Sequence, residues 1–161
     1  MRKPVLYIVM LLLLGSTAGC DSNDDNGDTD LTDAEVFLGN WILANLLLNG
    51  QDVSALLLAQ VNVAMVFANG GSFDLTVTNA DGTTTEIAGT YALNDAQKTL
   101  TLSSSEFEAP LTLDYTIQTE DRIILESDQP ELLSELSGID ASAIPGLMVE
   151  NVGLIVQRAA N

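Results

Sequence analysis

Cys20 is the one cysteine in 161 residues, and the chain has no histidine. A lone thiol can be acylated, can act as a nucleophile beside a base, or can join a metal set with other ligands. The last two need partners that are missing: Ser-His and Cys-His pairs and the usual zinc sets cannot be assembled here. What surrounds Cys20 instead is a positional pattern. Arg2 and Lys3 open the chain, an apolar run extends from Val5 to Leu14, and Thr17-Ala18-Gly19 put small residues directly before the thiol. This is the layout of a secretory signal over residues 1–19. The run falls well short of the roughly 20 residues that cross a bilayer, so a permanent membrane helix is the poorer reading.

The small residues before Cys20 resemble the lipobox of bacterial lipoproteins. The resemblance implies cleavage before Cys20, acylation of its sulfur and new amino group by palmitate-type chains, and a membrane-anchored place in the cell envelope, with leaflet and face undetermined. Each buried methylene contributes about 0.8 kcal/mol, so two or three acyl chains make a stable anchor. Residues 20–33 read as an acidic, flexible, lipid-anchored linker, too polar to offset its ordering entropy.

Carboxylates are the other chemical resource. Ser22 to Asp28 approaches a calcium loop, with Gly27 at the sixth place, but Ser22 replaces the first Asp and Asp33 the bidentate Glu. Linker is the better reading, and no metal or cofactor is expected. Glu106 and Glu108 flank Phe107 in a turn-like stretch before Pro110, where a solvated loop outweighs a general acid and base. The expectation is a protein that is not an enzyme.

Charge narrows the partners. All 23 acids follow the signal, and without Arg2 and Lys3 the basic residues are Lys98, Arg122 and Arg158, a net charge of −20. Nucleic acid is excluded as a partner on electrostatic grounds. Anionic headgroups are repelled too, which leaves attachment to the membrane to lipidated Cys20. A protein partner is not identifiable from the residues.

These groups must be positioned by strands. Thr32-Asp33-Ala34-Glu35 is a capping box, so a short helix should run to about Leu38 and stop at Gly39. Beyond it, eight runs carry strand signals: 41–48, 61–67, 72–78, 85–93, 100–102, 111–117, 122–126 and 148–158. Asn49-Gly50, Asn69-Gly70-Gly71 and Asp81-Gly82 punctuate them, as in antiparallel hairpins. An all-β, eight-stranded, antiparallel up-and-down barrel spanning residues 34–161 removes the exposed edges, and a two-sheet sandwich is the alternative. Two connections are long and apolar: 51–60, with Asp52 available as N-cap, and 130–146, broken by Gly138 and Pro145. Both read as short helical insertions.

Gly39-Asn40-Trp41 resembles the G-x-W motif of lipocalin-like proteins. Asn69-Gly70-Gly71-Ser72-Phe73 and Gly89-Thr90-Tyr91 with Lys98-Thr99-Leu100-Thr101-Leu102 are similar to the "DGTF" and "G-x-Y…KTLTL" patterns of short lipocalin-like domains on bacterial lipoproteins. The resemblance implies a barrel that binds a small apolar or amphipathic molecule, and an arginine of the last strand, Arg158 by position with Arg122 second, packed over Trp41 at the closed end. Val63, Met65, Phe67, Phe73, Leu75, Tyr91, Leu113 and Tyr115 are the inward residues expected to line a cavity. Leu56, Leu57 and Leu58 with Leu132, Leu133 and Leu136 are the expected lid at the opposite mouth. The alternative keeps the fold and fills it, making a non-enzymatic interaction or structural module with a solid core.

So acidic and lysine-poor a surface, with 47% hydrophobic residues, fits either adaptation to high salt or an acidic exported protein. On the first reading, calorimetric melting temperature rises markedly between low and molar salt; a flat response removes it.

Overall fold

The computed structural model describes residues 31–129, 132 and 148–160, with the backbone alone for Leu56 and Leu57. The signal, Cys20, the linker to residue 30, the calcium-like loop, Leu133, Leu136 and most of the second long connection lie outside the described residues. The described residues belong to one compact unit, Leu31–Asn161.

Thr32 caps helix α1 (Asp33–Phe37): its hydroxyl accepts from the Glu35 amide and the Glu35 carboxylate accepts from the Thr32 amide. Both bonds satisfy amides that a helix start leaves unpaired. The chain then enters β1 (Gly39–Leu48), turns through Asn49-Gly50 into the two-residue β2 (Gln51–Asp52), and forms α2 (Ser54–Leu57). Positive φ at Asn49 and Gly50, +51° and +76°, is what a two-residue hairpin loop demands. The N-cap of α2 is Val53 rather than Asp52, which stands one residue earlier and accepts from the Ser54 amide at 2.9 Å.

Seven strands follow: β3 (Val61–Ala68), β4 (Ser72–Asn79), β5 (Thr84–Asn94), β6 (Thr99–Ser103), β7 (Leu111–Thr119), β8 (Arg122–Ser127) and β9 (Val152–Arg158). Each is antiparallel to its neighbour, and β1 pairs with both β3 and β9, so the sheet closes on itself as an eight-stranded barrel with β2 attached to β1. Strict alternation sets the faces. Val61, Val63, Met65 and Phe67 point in while Asn62 and Val66 point out, and Phe73, Leu75 and Val77 repeat the pattern on β4. The last strand begins at Val152 rather than near Met148; Met148 is 83% exposed and Glu150 is exposed as well. A bulge between Leu43 and Asn45 shifts the phase of β1, so Trp41 and then Leu46 and Leu48 are its fully buried residues.

Gly89 marks the tightest place in the wall. A Cβ there would stand 2.2 Å from the Ser103 carbonyl oxygen and 2.6 Å from the Phe73 ring. Overpacking of this kind costs about 1–3 kcal/mol, so Gly89→Ala should lower the unfolding free energy by that amount, read as a lower urea midpoint with an unchanged m-value, whereas Ala88→Gly on the outer face should cost well under it.

Candidate functional site

The barrel has two unlike ends. At the first lie the start of β1, the β3–β4, β5–β6 and β7–β8 turns and the end of β9, and α1 closes it. Phe37 is fully buried there, with edge-on contacts to Phe67 and Tyr115 at centroid distances of 5.5 and 5.1 Å; Phe67 meets Tyr91 at 5.0 Å. The Trp41 indole donates to the Phe37 carbonyl at 2.8 Å, which satisfies its one polar atom inside the core.

Arg158 lies across this assembly, its guanidinium carbon 4.7 Å from the Trp41 ring centroid. Its nitrogens donate to the carbonyls of Leu38, Val36 and Glu120 and to the Asp121 carboxylate, at 2.8 to 3.0 Å. One side chain thus joins α1, the β7–β8 turn and β9 over the tryptophan. Gly39, at φ +120°, makes room for it: a Cβ would come 2.8 Å from a guanidinium nitrogen. Arg122, the second candidate, lies at the same end and donates to Gln118 rather than reaching the ring.

Asp33, which composition assigned to the linker, is the first residue of α1 and pins that helix to the barrel. Its carboxylate accepts from Lys98 and from the Tyr115 hydroxyl, each at 2.5 Å, and the hydroxyl also lies 3.1 Å from Asp95. The Lys98 and Tyr115 hydrogen bonds hold Asp33 below the usual carboxylate range. Burial, with the two carboxylates, pushes the Tyr115 phenol far up, so it stays a neutral donor.

Toward the other end the interior becomes aliphatic. Val63, Met65, Leu75 and Leu113 are buried with Phe67, Phe73 and Tyr115, and Tyr91 is half-buried. Val61, Val77, Ile87, Leu102, Leu111 and Val152 belong to the same packed core cluster, and Ser127 is the one buried polar residue among those described. Phe107 was missed by sequence reasoning: flanked by two exposed glutamates, it turns in from the β6–β7 connection and stacks on Phe73 at 6.3 Å. Its signal was a lone aromatic in an acidic loop.

At this second mouth both long connections leave together. The Asn49 side chain accepts from the amides of Glu150 and Asn151 and donates to the Met148 carbonyl, while its own amide donates to the Asn151 carbonyl. Sequence reasoning saw Asn49 only as a turn residue. Leu132 is fully buried, Leu58 is half-buried, and Leu56 and Leu57 sit in α2.

Two predictions follow from the closed end. Arg158→Lys keeps the charge but loses the planar fork, and should cost about 1–3 kcal/mol by chemical denaturation, as expected for charge-assisted hydrogen bonds to partly buried carbonyls. The second concerns acid. A carboxylate with a depressed folded pKa adds stability above its unfolded value, near 4, and loses it as pH falls through the folded value. Tyrosine-filtered Trp41 fluorescence should therefore report loosening of α1 below about pH 4, with a shallower acid limb in Asp33→Asn.

No family model matches the chain, and no curated protein is similar to it in sequence. A solved lipocalin-like protein from Bacteroides uniformis matches over 77% of this chain and 99% of its own, with TM-score 0.51 and 15% identity. A protein from Bacteroides eggerthii (75% and 98% covered, TM-score 0.44, 11% identity) and apocrustacyanin C2 (84% and 66%, TM-score 0.45, 16% identity) are more distant. At these identities the likeness is one of fold: this chain forms a lipocalin-like barrel.

Proposed function

We propose that this protein is a cell-envelope lipoprotein, anchored through Cys20, whose barrel binds a small apolar or amphipathic molecule at the end opposite α1. The observation that carries the binding reading is the gradient inside the barrel. The rings of Phe37, Phe67, Tyr91 and Tyr115 fill the closed end with α1, while the far half is mostly aliphatic, with Phe107 entering from the β6–β7 connection, and holds no buried charge among the described residues. An apolar ligand entering there displaces no ion pair and strands no polar atom. Eight strands enclose about the space of one small ligand.

The anchor reading rests on the sequence around Cys20 alone. The reaction class is binding without chemistry; the described residues include no cluster of three histidine, cysteine or acidic side chains able to hold a metal.

A second reading keeps the barrel and fills it. The tight packing of Phe37, Phe67, Tyr91 and Tyr115 favours it at the closed end, and it makes the protein an interaction or structural module.

Titration of a fluorescent fatty acid into the wild-type chain should give saturable, one-site enhancement, weakened several-fold by Leu57→Asp or Leu133→Asp. Absence of any uptake by the folded wild type would remove the binding reading. Independently, labelled palmitate should enter the wild-type chain in a bacterial host and not Cys20→Ser.

A further inference from the structure

β5 is 11 residues long and its partner β6 only 5. Their pairing runs from Thr90 with Ser103 to Asn94 with Thr99, so the far half of β5, Thr84 to Ala88, has β4 on one side and no strand on the other. Ser104 ends the ladder, its hydroxyl donating to the Ala88 carbonyl at 2.8 Å. The chain then turns away through 105–110, with Phe107 directed inward onto Phe73.

Hydrogen-bond phase identifies the groups this leaves. In an antiparallel pair, alternate residues exchange both backbone bonds. The Asn79 amide donates to the Thr83 carbonyl and the Tyr91 amide to the Gly71 carbonyl, at 2.9 and 2.7 Å, which fixes the phase at both ends of the β4–β5 ladder. Thr85, Ile87 and Gly89 therefore bond to Val77, Leu75 and Phe73, whereas Thr84, Glu86 and Ala88 direct their N–H and C=O groups away from β4. Ser104 reaches the Ala88 carbonyl from that side, as this phase requires. Among the described residues no backbone group pairs with the others. Thr84, Thr85, Glu86 and Ala88 are exposed, and Ile87 is buried.

An unpaired strand edge is a template for another strand, and its surroundings select which. Glu86 stands at its centre, Asp74 pairs with Ala88 on the β4 side, and Glu106 and Glu108 are exposed in the departing loop. Lys98, Arg122 and Arg158, the cations among the described residues, are all at the closed end. A second copy brings another Glu86 and the same acidic field, so it is poorly matched. We propose that Thr84 to Ala88 docks an extended basic segment of a partner protein by strand addition, with lysine or arginine beside Glu86 and an apolar residue beside Ile87. The spacing follows from the pleat: the residue opposite Glu86 faces solvent with it, and its neighbours face the interior with Ile87.

Amide hydrogen exchange, read by NMR on the chain from Asp21 onward, which keeps the whole compact unit, tests this. In the free chain Thr85 and Ile87 should exchange about tenfold or more slowly than Thr84 and Glu86. A hexapeptide of alternating lysine and valine should slow Thr84, Glu86 and Ala88 by about tenfold at saturation. Its affinity should fall by about tenfold in Glu86→Lys and for the same peptide N-methylated at its lysines, which keeps the charge and loses the ladder. A glutamate–valine counterpart should not bind. Melting temperature is recorded for Glu86→Lys, and the methylated peptide decides on the wild type if that variant fails to fold. No binding of the lysine peptide overturns the proposal. So does equal binding of the methylated or glutamate peptide, or binding that leaves the three amides unprotected. Free-chain exchange without the alternation overturns it as well, as does protection that appears with rising protein concentration alone, which assigns the edge to a second copy.

Discussion

Closing an eight-stranded sheet requires β1 to meet β9, and the Arg158 guanidinium secures that seam where it is under most demand. It lies on the Trp41 ring and donates to three carbonyls from two separate parts of the chain. Those carbonyls belong to a helix end and a turn, where the backbone has no strand partner of its own. Without the guanidinium they would be left in a half-buried site with no donor. The rest of the closed end builds on this arrangement: Trp41 orients α1 through the Phe37 carbonyl, Phe37 packs on Phe67 and Tyr115, and Asp33 ties the helix to Lys98. At the far mouth Asn49 secures the same seam with its side-chain amide and its backbone N–H.

The two ends divide the work of the molecule. A sealed, aromatic base gives the barrel a rigid floor, and the aliphatic half above it faces the long connections. Burial of apolar side chains is non-directional, so the far half can exchange contacts among its own residues for contacts with a ligand at modest cost. The closed end cannot, because its polar atoms are satisfied by particular partners. Function is therefore expected where packing is least specific.

Much of this was legible in the residues. The Thr32–Glu35 capping box, the Asn-Gly and Asp-Gly turns and the alternation on β3 and β4 follow local rules that tertiary contacts did not override. Trp41 and Arg158 could be placed together because antiparallel alternation fixes which strand ends meet. The apolar run of β1 was less readable: its bulge breaks the period of two, so inward and outward residues cannot be separated by counting. Phe107 and Asn49 were hidden for another reason. Each acts through a contact distant in sequence, Phe107 with Phe73 and Asn49 with Met148, Glu150 and Asn151, and neither leaves a local pattern. Asp33 was assigned to the linker by composition, yet its partners Lys98 and Tyr115 lie far along the chain.

The central claim is that the aliphatic half of the barrel accommodates a small apolar guest. Native mass spectrometry of the protein purified under mild conditions from a bacterial envelope tests it most directly. The account predicts a second species heavier than the acylated polypeptide by the mass of one small apolar molecule, released on unfolding. A single species at the polypeptide mass, unchanged after incubation with excess long-chain fatty acid, would contradict it.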